Sequence, residues 1–117
     1  MSVTIVSAKV RLSPLKSGTL MADGTEQTLL EFMDVGRVMG YVSLQNMQVG
    51  DTIIIRQYMK VVAGGSYQLY AEELYSGAQT HPILYIKPKE TDFAIKITLE
   101  QGGIPFRTYP YNFMKEL

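Results

Sequence analysis

The side chains able to do chemistry are few, and their spacing argues against a reaction centre. His81 is the single histidine and there is no cysteine; a lone His with no Cys or Ser–Asp framework around it is a poor catalytic prospect. A metal would have to be held almost entirely by carboxylates. Asp23, Glu26 and Asp34 lie close in sequence, but Asp23 is accounted for by an Asp-Gly turn, and no Asp-x-Asp-x-Asp calcium loop occurs. The neighbours Glu72 and Glu73 could suggest a carboxylate pair for glycosidic hydrolysis. Adjacent residues of a strand point to opposite faces, however, so these two cannot flank one bond. An enzymatic site would need a cleft gathering several of Glu26, Asp34, Asp51, Glu72 and His81. Gly64-Gly65 and Gly102-Gly103 do not read as phosphate cradles, because each pair sits between two strands rather than between a strand and a helix. The expectation is a protein that is not an enzyme and uses no cofactor or metal.

Binding chemistry is a better prospect. Eleven basic and eleven acidic side chains cancel, and the four arginines are scattered, so no basic stripe is available to grip nucleic acid. Eight tyrosines without a tryptophan supply aromatic surface. Tyr41, Tyr58, Tyr67, Tyr75, Tyr85, Tyr109 and Tyr111 could stack against sugar rings, which makes a glycan-binding module the alternative function. Membrane insertion is not expected: no uncharged stretch exceeds thirteen residues, and that at 38–50 includes Ser, Gln and Asn, too short and too polar to span. The N-terminus lacks a basic region followed by a continuous apolar one, so the chain is expected to stay soluble without an export signal.

Strands must position these residues. No window carries a clean helical apolar period, whereas several alternate with a period of two. Phe93, Ile95, Ile97 and Leu99 alternate with Ala94, Lys96, Thr98 and Glu100, the pattern of a half-buried strand. Further strands are predicted at 3–12, 16–22, 25–33, 37–44, 52–62, 67–76, 83–87 and 105–114, rich in β-branched and aromatic residues. A single domain over 1–117, built as an all-β antiparallel sandwich of about eight or nine strands and jelly-roll-like, accommodates them.

Glycine turns suggest registers. Gly64-Gly65 reads as a type I′ hairpin turn, setting Tyr58 opposite Ala71, Lys60 opposite Leu69 and Arg56 opposite Glu73. Asp23-Gly24 reads as a second, setting Thr19 opposite Thr28 and Lys16 opposite Glu31. Gly102-Gly103 reads as a third, setting Leu99 opposite Phe106. Pro105 and Pro110 cannot donate to a ladder, so the last strand is expected at an edge or broken by a bulge. The link 45–51 joins strands that need not be neighbours, as in a Greek key or jelly roll.

Neither face of the 52–76 hairpin is decidedly polar, as one face of a sheet wetted on one side should be. One carries Ile53, Ile55, Gln57, Met59 and Val61 with Tyr70 and Leu74, interrupted by Gln68 and Glu72. The other carries Ile54, Tyr58, Val62, Tyr67, Leu69, Ala71 and Tyr75 around Arg56, Lys60 and Glu73. A partner is the expected cover, with Tyr58, Tyr67, Leu69 and Tyr75 at the contact and an Arg56–Glu73 pair fixing the hairpin.

The runs Ser17-Gly18-Thr19-Leu20-Met21-Ala22-Asp23-Gly24-Thr25-Glu26-Gln27-Thr28-Leu29 and Gly50-Asp51-Thr52-Ile53-Ile54-Ile55-Arg56-Gln57-Tyr58, followed by Tyr67-Gln68-Leu69-Tyr70-Ala71-Glu72-Glu73, resemble small jelly-roll virion proteins of bacterial and archaeal viruses. The likeness covers about residues 15–76 and carries no catalytic motif. It implies a capsid, decoration or accessory subunit, forming homo-oligomers or packing on other virion proteins, assembled in the host cytoplasm and residing in the virion.

Overall fold

The computed structural model describes residues 11–117; most of the strand predicted at 3–12 lies outside them. Eight strands follow in chain order: β1 (Leu12–Met21), β2 (Gln27–Phe32), β3 (Gly36–Ser43), β4 (Thr52–Lys60), β5 (Gln68–Ser76), β6 (Ile83–Thr91), β7 (Ala94–Gln101) and β8 (Thr108–Glu116). They form two antiparallel four-stranded sheets, ordered β1-β8-β3-β6 and β2-β7-β4-β5. This is the double-sheet, two-Greek-key wrapping of a jelly roll, as the sequence suggests.

The inner faces follow the period of two. Ile95, Ile97 and Leu99 of β7 meet Ile53 and Ile55 of β4, with Val38 and Val42 of β3 and Tyr109 and Phe113 of β8 also in the core, all but excluded from solvent. Burying an aliphatic side chain of this size stabilises by about 1.5–3 kcal/mol, so the alternating apolar residues give the sandwich its cohesion. The central hairpin thus turns its Ile53–Ile55 side inward.

Only the β4–β5 connection stays within one sheet; every other one crosses the sandwich. That single fact corrects two of the expected hairpins. Asp23-Gly24 carries the chain from β1 to β2 in the opposite sheet: Asp23 Oδ1 accepts from the Thr25 amide (2.9 Å) and hydroxyl (2.6 Å), and Gly24 takes a φ of 87°. Lys16 and Glu31 therefore never meet. Lys16 lies opposite Phe113 on β8, and Glu31 lies opposite Lys96 on β7. Gly102-Gly103 likewise begins a crossing loop to β8, not a hairpin, so Leu99 and Phe106 are not a ladder pair. Pro105 falls in that loop, after a cis Ile104–Pro105 bond. The last strand is internal rather than an edge: β8 lies between β1 and β3, and Pro110 is tolerated because pairing with β3 starts only at Tyr111.

The β4–β5 hairpin does form, out of the expected register by two residues near the turn and by one beyond a bulge. Arg56 faces Glu72, not Glu73, and Tyr58 faces Leu69, not Ala71, with Tyr70 as the extra residue of a bulge. The turn is also different. The Gly65 amide donates to the Val62 carbonyl at 3.0 Å, and Gly64 alone has positive φ (72°), whereas type I′ requires it at both central residues. Residues 61–67 form a longer loop. The link 45–51 joins strands of different sheets.

Candidate interaction surfaces

The outer face of the β2-β7-β4-β5 sheet is a charged and aromatic lattice. Alternation places Arg56 and Tyr58 of β4 beside Thr98 and Lys96 of β7 and carries Glu26, just before β2, to the same face. The Arg56 guanidinium reaches Glu72 (2.8 Å), Glu100 (2.8 Å) and Glu26 (3.4 Å). Hydrogen bonds to Glu100 and Glu72 push its pKa up, against the effect of burial. Thr98 (2.6 Å) and the Tyr58 hydroxyl both donate to Glu26. The Tyr67 hydroxyl donates to Glu31 at 2.7 Å. Lys96 lies over both the Tyr58 and Tyr67 rings, at 5.2 and 4.8 Å, and Lys60 lies over Tyr67 at 4.8 Å. Cation–π contacts of this kind contribute about 0.5–1 kcal/mol each where exposed.

This lattice predicts an acid response. Burial works against ionised Glu26, but the Thr98 and Tyr58 hydrogen bonds and the Arg56 charge outweigh it and hold Glu26 below its ordinary value of 4.5. Asp51 is held below its ordinary 3.8 first by the Gln48 amide and, against burial, by Arg107. Both folded values are depressed, so the stability these groups contribute is complete above their unfolded-state values and disappears as the pH falls through the folded ones. Urea midpoints measured from pH 6 to pH 2.5 should fall below about pH 4.5, and Glu26→Gln should flatten the fall. An unchanged acid limb in that variant would remove Glu26 from the account.

The sites weighed from sequence separate in space. Glu26 and Glu72 meet only through Arg56, while Asp51 binds Arg107 at 2.8 Å. Asp34 accepts from the Val35 amide, and His81 lies between β5 and β6. Among the described residues no three His, Asp or Glu are placed to hold a metal, and no helix is long and apolar enough to cross a membrane. Tyr58 and Leu69 are a cross-strand pair on the outer face, with Tyr67 bonded to the same lattice. Tyr75 instead shares the inward side with Ile53, packs on the core margin and donates to Glu73 at 2.5 Å. Glu73 is thus engaged by Tyr75, not Arg56, and the four expected contact residues do not share one face.

The outer face of the β1-β8-β3-β6 sheet differs in kind. Tyr41 on β3 and Tyr85 on β6 are a cross-strand pair with ring centroids 5.2 Å apart. Beside them runs a groove of about 330 Å³ lined by Tyr41, Ser43, Gln45, Pro82, Ile83, Pro110, Tyr111 and Asn112, without a charge.

The four edge strands are not equally protected. β1 carries Pro14, Lys16 and a register shift; β6 carries Pro88, Lys87, Lys89 and a shift; β2 has only six residues and a shift. These are the usual devices against edge-to-edge pairing. β5 carries a bulge at Tyr70 and the charges of Glu72 and Glu73, but Ala71–Ser76 is regular, without proline or a basic residue, and Leu74 is 64% exposed. Nothing in the composition of 67–76 marked it as an edge; that follows only from the sheet order. No protein-family model matches the chain, and no curated protein matches it.

Proposed function

We propose that this protein is a non-enzymatic structural subunit that assembles with copies of itself. The observation carrying this reading is the β5 edge, where exposed Leu74 sits in a regular run, Ala71–Ser76, that holds neither proline nor lysine, while the other three edges carry proline, lysine or shortness. The jelly-roll order and the resemblance of residues 15–76 to virion proteins support the narrower reading of a capsid, decoration or accessory subunit. Jelly rolls are recurrent in viral coats and in lectins alike. A second reading, glycan binding, is favoured by the Tyr41–Tyr85 pair beside an uncharged groove with Ser43, Gln45 and Asn112 as hydrogen-bonding groups.

One pair of measurements separates the two. Light scattering across micromolar concentrations should give masses at multiples of 13.1 kDa, with no retardation on columns of immobilised dextran, chitin or galactan. A monomer at every concentration overturns assembly. Retardation that Tyr41→Ala abolishes favours the glycan reading.

A further inference from the structure

Resting on the assembly reading, we infer that the partner seated on β5 is the β5 of a second copy, paired antiparallel about a two-fold axis at Leu74. The two four-stranded sheets would then join into one of eight strands.

Three observations support this geometry. The first is which backbone groups are free. The Gly77 amide donates to the Asp51 carbonyl at 2.8 Å, and those two residues continue the register in which Thr52 faces Ser76 and Ile54 faces Leu74. In an antiparallel ladder, hydrogen-bonded and non-hydrogen-bonded pairs alternate. The amides and carbonyls of Tyr75 and Glu73 therefore point toward β4, and those of Glu72, Leu74 and Ser76 point away from it. Among the described residues no strand meets them there. The Ser76 carbonyl accepts from Gln79 Nε2 at 3.0 Å, which marks the end of the run.

The second is facing. A two-fold axis normal to the sheet keeps inner faces inner, so only residues of the same face can oppose each other. An axis at Glu72 or at Glu73 would set that carboxylate against its own copy. With the axis at Leu74, Leu74 faces Leu74, Glu72 faces Ser76 and Glu73 faces Tyr75, so no like charges are opposed. The outward-pointing amide and carbonyl of Leu74 then meet those of its copy, and the Ser76 amide meets the Glu72 carbonyl, in the phase that the first observation requires, while the Ser76 carbonyl stays with Gln79.

The third is what flanks the axis. On the outer side Leu74 pairs with Ile54 of β4, so two copies would bring together an apolar strip of Ile54, Leu74 and their equivalents. On the inner side Glu73 shares a cleft of about 190 Å³ with Lys87 and Lys89 of β6, so each carboxylate approaching the axis comes with basic groups to balance it.

The chain has no cysteine, so a single introduced thiol reports one distance. Leu74→Cys, oxidised with copper–phenanthroline, should convert most of the chain to a disulfide-linked dimer, since the Cα atoms of a directly opposed hydrogen-bonded pair lie about 5.5 Å apart, within disulfide reach. Ser76→Cys and Ile54→Cys should stay uncrosslinked. Their equivalents would lie roughly 14–15 Å apart by strand rise and spacing, beyond the roughly 7 Å that a disulfide spans. The same variants, reduced, go through light scattering. Assembly without crosslinking at position 74, or with equal crosslinking at 76, overturns this pairing and leaves self-assembly standing. A monomer by scattering and no crosslink anywhere overturns both.

Discussion

Replacing Gln101 by Leu should lower the unfolding free energy by about 2–4 kcal/mol, the cost of leaving buried hydrogen-bonding groups without partners. Gln101 is fully buried at the end of β7, and its amide organises the crossing to β8. Nε2 donates to the carbonyls of Gly103 (2.7 Å) and Pro105 (2.8 Å); Oε1 accepts from the Arg107 amide (2.9 Å) and the Tyr109 hydroxyl (2.8 Å). Burial first, then the charge of Asp51, pushes the Tyr109 phenol up to about 12, so it remains a donor needing an acceptor at any ordinary pH. Leucine fills a similar volume and supplies neither group. Urea denaturation measures the loss, and a value under about 1 kcal/mol would show that the loop does not depend on the amide. A double-mutant cycle with Tyr109→Phe identifies the stranded group. Removing the hydroxyl should destabilise the wild type and be neutral or stabilising in the Gln101→Leu background.

Gln101 also shows how far alternation can be read. Its inward position follows from Ile95, Ile97 and Leu99, where a glutamine at the next inner position is a visible misfit. Its partners do not follow, because they come from a crossing loop whose path no periodicity encodes. The turn dipeptides were ambiguous for a related reason: Asp23-Gly24 reverses the chain locally whether the next strand pairs with the last or crosses to the other sheet. The Lys16–Glu31 pairing expected from it was a coincidence of spacing. Arg56 was a subtler case. With glutamates at both 72 and 73, a register wrong by one residue still sets an acidic residue opposite it, so the charge pair could not test the register. The longer loop at 61–67 and the bulge at Tyr70, which no residue type announces, together set it. Glu26 and Glu100, which complete the Arg56 cluster, become neighbours only once β7 is inserted between β2 and β4.

Gly40→Ala should cost about 1–3 kcal/mol, the range for overpacking a close-packed interior, and Gly40→Val more. Gly40 has no unusual φ, so backbone strain is not the reason. A Cβ there would lie 2.5 Å from the Asn112 carbonyl oxygen and inside the contact distance of the Phe113 ring. The carbonyl belongs to the β8 backbone, and the fully buried Phe113 ring is the cross-strand partner of Gly40. Neither can move away without separating β3 from β8. A control at Gly50, where φ is 93° and nothing lies within 4 Å of an added Cβ, separates the two possible causes. Gly50→Ala carries only the conformational penalty of a left-handed residue, about 1–2 kcal/mol, and should leave the packing intact. Combining Gly40→Ala with Phe113→Leu relieves the ring contact but not the carbonyl contact, so the alanine penalty in that background should shrink without vanishing. Because Tyr41 follows Gly40 and pairs with Tyr85 across the β3–β6 ladder, displacing β3 should also disturb the aromatic pair on the uncharged outer face. Near-ultraviolet circular dichroism should therefore change in Gly40→Ala and not in Gly50→Ala. Equal spectra and equal losses in the two variants would mean that the close approach of β3 to β8 does not set the shape of that face.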